Sequence, residues 1–321
     1  PQHSTVPPPI PPLNLASVPK TLLKKARLTL WGATYLVLSR DKITKKQLRT
    51  QPDAAELHKV DSSVRLIFVR HGESVWNLVF NRGFKPSFLW RLASRVLYEL
   101  YLVPFDDSVF VDSPLSDLGQ RQCAGLADFL RKPCIDKMAQ ADFDALTKPS
   151  PQTLLVSSQL RRCVSTISVA LAERLATSDE TVALHSSCQE ISRNFDTQSL
   201  APAGASPALP DASLAARMDG ALNAGNKSLS FRGIDRVRDF AQWATRRSEK
   251  TIVVSGHSLW FRSFFQLYLP ASSDHVGKTR KIINCGAVAL TLERGMNAAG
   301  EERYRVDPRS IVVVYGGFSP K

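Results

Sequence analysis

Basic residues and glycines follow apolar runs at separate places in this chain. RHG at 70–72 comes after LIFV, GHS at 256–258 comes after TIVV, and Arg161 and Arg162 come after LLVSSQL. Cations gathered without acidic partners repel one another unless an anion joins them. Guanidinium groups match the oxygens of a phosphoryl group, and a histidine can act as a nucleophile. If these residues converge, the pattern predicts a site for a phosphoryl group.

The apolar runs themselves predict the strands that would bring these residues together. Strands are expected at 64–69, 153–158, 251–255, 286–293 and 311–315, with helical patterns between them. Alternating strands and helices predict a three-layer α/β/α sandwich around a mostly parallel sheet. In such sheets ligands bind outside the carboxyl ends of the strands, which is where the basic residues fall.

The helical patterns fall in the gaps that this architecture requires. One begins after Ser116 and extends to about Arg131, and a second covers 161–176. A third has its apolar residues on one face between 234 and 244, and a fourth follows His257. These helices would cover the sheet.

Several motifs, in order along the chain, resemble the histidine phosphatase superfamily, which is also called phosphoglycerate-mutase-like. RHGES with Asn77 resembles the family signature, and SQLRRCVST at 158–166 resembles its second arginine motif. QEI at 189–191 resembles the acidic motif, and SGHS at 255–258 resembles the second-histidine motif. The resemblance covers roughly 64–315, and four ordered motifs are far more specific than RHG alone.

The resemblance implies a role for each matching residue. His71 would attack phosphorus to give a phosphohistidine, Glu190 would protonate the leaving oxygen, and His257 would complete the catalytic set. The residues implied to bind the phosphate are Arg70, Asn77, Arg162 and Ser258. Because the cationic side chains supply the charge, neither a metal nor a cofactor is expected.

A departure from the family pattern distinguishes between a mutase and a phosphatase. Glu190 is followed by ISRNFDT, whereas mutases usually continue with arginine, histidine, tyrosine and glycine. This difference favours a phosphatase acting on a phosphomonoester. The alternative is a noncatalytic scaffold subunit of a larger assembly, in an organelle or elsewhere, that uses the same fold.

Length and composition limit which other kinds of protein this chain could be. At 321 residues and 43% apolar content the chain can bury a large core, and its longest apolar stretch, 28–38, is too short to span a bilayer. Five cysteines without metal-type spacing favour a reducing, intracellular compartment, with a mitochondrion or plastid as the alternative. A binder of nucleic acid or of an anionic membrane is a third hypothesis, motivated by the net charge of +13. No nucleic-acid motif supports it.

The first sixty residues carry ten lysines and arginines against three acidic residues. They open with PPPIPP, which favours an extended polyproline conformation. We therefore predict a basic N-terminal extension at 1–62, either a targeting remnant or a docking arm, that makes few contacts with a catalytic domain at 63–321. The apolar residues between 22 and 38 would then need cover from a protein partner or an interfacial membrane surface.

Two insertions are expected within the domain. The one at about 78–111 predicts an amphipathic helix with its N-cap at Ser87, which either packs on the domain or serves as a lid or a surface for a protein partner. The one at about 198–230 is rich in alanine and reads as a low-complexity loop beside Glu190. Neither insertion identifies the substrate.

Overall fold

A computed structural model describes residues 14–49, 57–83, 86–209 and 211–320. The PPPIPP opening, for which we predicted an extended conformation, lies outside these residues. Among the residues described, none of the helices combines the length and the apolar character that crossing a bilayer requires.

A mixed sheet forms the centre of the fold. Its strands within the described residues are β1 (Lys59–Arg70), β2 (Thr153–Ser157), β3 (Val182–Leu184), β4 (Met218–Asp219), β5 (Thr251–Gly256), β6 (Ala287–Met296), β7 (Glu302–Val306) and β8 (Val312–Tyr315). The strand order is β4, β3, β2, β5, β1, β6, β7, with β8 also pairing with β6. From β4 to β1 all neighbours are parallel, whereas β6 is antiparallel to β1, β7 and β8. The prediction of a mostly parallel sheet is confirmed.

The helices lie between and beyond these strands. The α-helices described are α1 (Val18–Leu38), α2 (Lys45–Arg49), α3 (Val75–Phe80), α4 (Pro86–Tyr101), α5 (Asp117–Leu130), α6 (Gln140–Thr147), α7 (Arg161–Ala170), α8 (Ala172–Ala176), α9 (Ala212–Ala215), α10 (Gly233–Ala244) and α11 (Ser258–Tyr268). Local chemistry fixes several of their starts. Ser74 and Ser116, for example, cap α3 and α5 by accepting hydrogen bonds from backbone N–H groups.

Successive residues of β1 divide the core into two halves. Leu66 and Phe68 pack with α10 and α11 on one side of the sheet, and Ile67 and Val69 pack with α5, α6 and α7 on the other. This alternation follows from the two-residue period of a strand. Apolar residues on both faces give the three-layer α/β/α arrangement that the sequence predicted.

The strand and helix predictions need three corrections. Strands β3 and β4 were missed because they have only three and two residues, and β7 was missed because its sequence, ERYRV, is mostly charged. The helix expected over 161–176 is interrupted at Leu171, whose backbone leaves helical geometry between α7 and α8. Ser87 does not lie before its helix, since α4 already begins at Pro86.

The expectation of few contacts between the N-terminal segment and the domain is wrong for α1. Tyr35 and Gly32 are buried, and a side-chain carbon at Gly32 would lie 2.7 Å from the ring of Phe195. Lys25 Nζ donates to Leu102 O at 2.6 Å, just beyond α4. The division at 62/63 falls inside β1, and the separation into an extension and a domain stays a prediction.

Asp41, three residues beyond α1, lies in a fully buried ionic cluster. Its carboxylate is 2.7 Å from Arg236 Nη1 on α10 and 3.3 Å from Lys227 Nζ in the second insertion. The sequence predicts that the positive charge excess of the N-terminal segment is costly to bury, and its basic residues at 20, 27, 40 and 42 are exposed. The charge that is buried is the carboxylate of Asp41, which offsets the two buried cations that it contacts.

The two insertions differ from their predicted forms. The first forms α3 and α4, and the apolar face of α4 is largely exposed. The second contains α9 and strand β4, which pairs with β3, so it is not wholly irregular. Gln159 Nε2 and Lys227 further tie this second insertion to the domain through Gly225 O and Asp41. The insertion boundaries themselves stay predictions.

Candidate active site

The ends of β1 and β5 bring the two histidines together. Arg70 and Gly256 are partners in the parallel register, and His71 N donates to Gly256 O at 3.0 Å. The ring centroids of His71 and His257 are 5.1 Å apart. Both rings are buried at the carboxyl edge of the sheet, as expected for a ligand site in this architecture.

His71 is held by its own local backbone. Its Nδ1 lies 2.6 Å from Gly72 O, and a carbonyl can only accept, so Nδ1 carries the proton and Nε2 keeps its lone pair. Burial lowers the pKa of His71 well below its ordinary value, and the charges of Arg162 and Arg70 lower it further. The ring is therefore neutral at pH 7, with Nε2 as a nucleophilic nitrogen.

Gly72 lets this turn pack against the start of α5. A side-chain carbon at Gly72 would lie 2.6 Å from Gly119 O, which is closer than such atoms approach. The Gly72 N–H donates to Thr166 Oγ1 at 3.1 Å, and Thr166 in turn donates to Arg162 O at 2.7 Å. Thr166, which sequence reasoning did not single out, thus links the histidine turn to α7.

His257 begins the turn into α11. Its Nε2 is 2.9 Å from Ser158 Oγ, and the Sγ of Cys163 is 3.3 Å from the same nitrogen. Burial lowers the pKa of His257 well below its ordinary value, followed by the charge of Arg162. Cys163 directly follows Arg162 at the start of α7, so this helix begins beside the His257 ring.

Arg162 is almost completely buried at the start of α7. Its Nη1 donates to Asp196 O at 2.7 Å, and its Nη2 lies 3.4 Å from the Asp196 carboxylate. No described residue accepts a hydrogen bond from its Nε. We expected cations without acidic partners, and this is wrong for Arg162, because the loop after Glu190 folds back over it.

Asp196 is a site residue that sequence reasoning missed. Burial raises its pKa to about 6, although the nearby Arg162 opposes that shift. It lies in FDT, where no spacing relative to the motifs singles it out. Only the folded loop brings it to the arginine.

Arg70 completes the cationic part of the site. Its Nη1 donates to Ile282 O at 2.7 Å, while its Nε has no acceptor among the described residues. Burial lowers the pKa of Lys281, and the charge of Arg70 adds to that shift, so a further cation lies close by. Sequence reasoning did not identify Lys281, since no motif contains it.

Glu190 caps the first turn of α11. Its Oε1 accepts from the N–H groups of Trp260 and Ile191, each at 3.0 Å, and its Oε2 accepts from Leu259 N at 3.4 Å. The carboxyl group is buried. Burial lowers the pKa of Arg70, and the charge of Glu190 opposes that shift. Oε2, which has one long hydrogen bond, is the less engaged of the two oxygens.

The remaining predicted phosphate ligands differ in their surroundings. Ser258 is buried as the first residue of α11, directly after His257. Asn77 lies in α3, where its Oδ1 accepts from Asn81 Nδ2 at 3.0 Å. The roles of both residues in phosphate binding stay predictions.

Arg161 faces away from this site. It pairs with Asp107 and donates to the backbone carbonyls of Ser108 and Asp112, and its own N–H donates to Asp112 Oδ1 at 2.9 Å. Of the two adjacent arginines, Arg162 is buried against Asp196 and Arg161 anchors the first insertion. Within the described residues, no group of three or more histidine, cysteine, aspartate or glutamate side chains is arranged to hold a metal.

The sequence was also compared with known families. A sequence profile described as the histidine phosphatase superfamily (branch 1) matches residues 110–300, more than half of the chain. The chain belongs to this superfamily. The matched region includes Arg162, Glu190 and His257 but not Arg70 and His71, which the sheet places beside them. Membership confirms the predicted family, fold class and histidine-type phosphatase.

Solved structures give weaker likenesses to this histidine phosphatase. A mycobacterial glucosyl-3-phosphoglycerate phosphatase in complex with VO3 is 16% identical, over 79% of this chain and 99% of that chain, with a TM-score of 0.39. The ecdysone phosphate phosphatase of Bombix mori in complex with tungstate is 13% identical, over 80% and 94%, with a TM-score of 0.40. At these values neither says anything about the substrate of this chain. No curated protein matches its sequence significantly.

Proposed function

We propose that this protein hydrolyses a phosphomonoester without a metal ion, through a phosphohistidine formed on Nε2 of His71. The observation that carries the proposal is the state of that ring. The hydrogen bond between Nδ1 and Gly72 O, at 2.6 Å, leaves Nε2 with a lone pair, and a lowered pKa keeps the ring neutral. A neutral imidazole next to the half-buried Arg70, with the buried Arg162 in the same site, suits attack on a phosphate ester.

In the first step the lone pair of His71 Nε2 forms a bond to phosphorus. The bond from phosphorus to the ester oxygen breaks, and that oxygen takes a proton from Glu190 and leaves as an alcohol. Oε2 of Glu190 suits this role, because its only hydrogen bond is 3.4 Å long whereas Oε1 holds two backbone N–H groups. The products of the step are the phosphohistidine and the Glu190 carboxylate.

In the second step water attacks the phosphohistidine. The Glu190 carboxylate accepts a proton from the water, the new oxygen bonds to phosphorus, and the nitrogen–phosphorus bond breaks. Inorganic phosphate leaves, and His71 recovers its lone pair. His71 forms its bond to phosphorus in the first step and loses it in the second, and Glu190 donates a proton in the first step and accepts one in the second.

The basic side chains stabilise the charge on the phosphoryl oxygens. Arg70 and Arg162 each have an Nε without an acceptor among the described residues, so each has a hydrogen bond to offer an anion. His257 lies 5.1 Å from the His71 ring and, with Ser258 and Asn77, completes the proposed ligands of the phosphoryl group. Losing one such donor costs about 2.7 to 4 kcal/mol of barrier in a comparable site.

The test is to detect the intermediate itself. The full chain is mixed with a radiolabelled aryl phosphate in the presence of a chelator and quenched in alkali, in which phosphohistidine survives. We expect label that acid treatment releases, present in the wild type and absent in His71→Asn. Turnover without any labelled protein, or the same label in both proteins, would contradict the proposal.

The alternative of a noncatalytic scaffold subunit draws support from the exposed apolar faces of α1 and α4. The same experiment separates the two functions. If neither turnover nor label is found with a panel of phosphomonoesters, the scaffold function takes precedence.

A further inference from the structure

Helix α4 turns an apolar face to solvent. Its exposed large apolar side chains are Leu89, Trp90, Val96, Leu97, Leu100 and Tyr101. Trp90 is 77% exposed and Leu97 is 68% exposed. The opposite side of the helix, with Phe88, Leu92 and Tyr98, packs on the domain. The helix is therefore apolar on two sides, and one of them is uncovered.

Helix α1 repeats the pattern. Leu23, Leu30 and Val37 are spaced seven residues apart, which places them on one side of the helix, and all three are exposed. Helix α1 contacts the last turn of α4 and the residues just after it. Lys25 Nζ lies 3.9 Å from Glu99 Oε1 and donates to Leu102 O at 2.6 Å, and Lys24 Nζ pairs with Asp106 at 2.7 Å. Two neighbouring helices thus expose rows of apolar side chains, which soluble monomers rarely do over a large area.

The charge around α1 is positive. Lys20 and Arg27 are exposed and have no hydrogen bond or ion pair to any described residue, and Arg40 and Lys42 are exposed just beyond the helix. The only acidic residue between 14 and 49 is Asp41, which is buried against two cations. An exposed positive charge excess therefore accompanies the apolar rows.

A groove of about 430 Å³ runs between α1 and the second insertion. Its basic lining comes from Lys20, Lys24 and Arg27, and its apolar lining includes Leu23, Leu28 and Pro202. A phospholipid with an anionic headgroup has the same combination of chemistry, a negative phosphate next to hydrocarbon. The groove therefore fits the same kind of ligand as the surface beside it.

We propose that α1 and α4 form a surface, here called the α1–α4 surface, that docks the protein on an anionic lipid bilayer. Trp90 and Tyr101 would lie at the headgroup level, where such side chains are favoured, and the leucines would enter the acyl boundary. Lys20 and Arg27 would meet the negative headgroups. Neither helix spans the bilayer in this arrangement. The charge of the surface selects this occupant over an uncharged apolar partner.

The test is cosedimentation of the full chain with phosphatidylcholine vesicles, with and without phosphatidylserine. We expect binding to the mixed vesicles and little binding to pure phosphatidylcholine. Trp90→Gln with Leu97→Gln should weaken binding by more than about tenfold, because each side chain loses its apolar burial. Lys20→Gln with Arg27→Gln should weaken it by about fivefold for each charge removed.

Matched controls come from an exposed segment elsewhere on the molecule. Ile135 and Met138 are 95% and 79% exposed, so Ile135→Gln with Met138→Gln removes similar apolar groups, and Lys132→Gln with Lys137→Gln removes two exposed charges. These variants should bind vesicles like the wild type. The circular dichroism spectrum checks that every variant is folded, and this check does not depend on the proposed phosphatase activity.

Three outcomes would overturn the proposal. One is that the wild type binds neither kind of vesicle. Another is that the control variants lose as much binding as the variants of the α1–α4 surface. The third is that sedimentation velocity shows a self-associated chain that Leu97→Gln converts to a monomer, without any binding to lipid, which would assign the surface to a second copy of the protein.

Discussion

Two clusters of buried and half-buried cations among the described residues differ in how the chain neutralises their charge. Around Asp41, one carboxylate lies 2.7 Å from Arg236 Nη1 and 3.3 Å from Lys227 Nζ, so both cations touch an anion. At the strand ends, Arg70 reaches only a backbone carbonyl among its described contacts, and Arg162 has the Asp196 carboxylate at 3.4 Å. We call these groups the Asp41 cluster and the strand-end cluster.

The difference separates a part of the fold from a ligand site. In the Asp41 cluster, Lys227 Nζ lies within hydrogen-bond distance of four oxygens, those of Asp41, Glu190, Ser192 and Thr197. In the strand-end cluster, burial lowers the pKa values of both histidines, and the charges of Arg162 and Arg70 lower them further. The charge of Lys227, from the Asp41 cluster, also lowers the pKa of His257. Arg70 has no carboxylate partner among the described residues, and the Nε of Arg162 has no acceptor there, so both can bind the oxygens of a phosphoryl group.

The largest effect is expected in the strand-end cluster. His71→Asn removes the nucleophile, so kcat on an aryl phosphate should fall on the order of 10⁴ to 10⁶-fold, as when other catalytic nucleophiles are removed. The circular dichroism spectrum should not change, because within the described part of the chain the His71 side chain hydrogen-bonds only to its neighbour Gly72. Turnover within tenfold of the wild type would show that another group makes the bond to phosphorus.

The next effect is expected in the Asp41 cluster and concerns stability. Asp41→Asn leaves Lys227 and Arg236 buried without a carboxylate, which should lower the free energy of unfolding by about 3 to 5 kcal/mol. The matched control is Asp106→Asn, which breaks the exposed pair with Lys24 and should cost about 1 kcal/mol or less. Urea denaturation of both variants measures the difference, and equal losses would refute the contrast between the clusters.

Asp41 also bears on activity through Glu190. Lys227 Nζ and Arg236 Nη2 both donate to Glu190 O, at 3.1 and 3.3 Å. We therefore expect deletion of residues 1–43 to destabilise the domain and lower kcat, contrary to the docking arm that the sequence suggested. A truncated protein with full stability and kcat would show that the N-terminal segment is dispensable.

The smallest expected effect is on how steeply the free energy of unfolding falls in acid. His71 and His257 stay neutral in the folded protein below their ordinary pKa of about 6.5, whereas the unfolded chain takes up protons there. The unfolded state then binds more protons, so these two histidines make the free energy of unfolding fall as the pH drops below about 6.5. His185, with a pKa lowered to about 4 by burial, acts in the same direction.

Asp196 acts in the opposite direction between its raised pKa of about 6 and its ordinary value. Because the two effects overlap, the test compares the pH dependence of the unfolding free energy in the wild type with that in a His71 variant. Replacing His71 by asparagine should flatten the fall of the unfolding free energy by up to about 1.4 kcal/mol per pH unit between pH 6 and 5. An unchanged slope would mean that His71 is protonated in the folded state.

The strand-end cluster was accessible from sequence because its residues follow local patterns. An apolar run ending in RHG or GHS predicts both a strand and the edge at which its polar residues lie. Only the family resemblance could indicate which of Arg161 and Arg162 binds the phosphate, since both follow the same strand. The structure supports that choice, because Arg161 pairs with Asp107 instead.

The Asp41 cluster could not be predicted in this way. Asp41 and Arg236 are 195 positions apart, and neither lies in a motif or at a periodic position. Asp196 is similar, since its contact with Arg162 depends on how one loop closes. Periodicity did predict that α4 is amphipathic, but it could not say which side the domain would cover, because α4 carries apolar residues on both sides.

The most direct test of the contrast between the strand-end cluster and the Asp41 cluster is the binding of inorganic phosphate, measured by titration calorimetry. We predict one phosphate per chain, bound at least about tenfold more weakly by Arg162→Gln, which loses a charged donor at the strand ends. Lys227→Met, which leaves Asp41 paired with Arg236, should bind phosphate within about twofold of the wild type. Phosphate binding that survives in Arg162→Gln but disappears in Lys227→Met, or no binding by the wild type, would contradict the account.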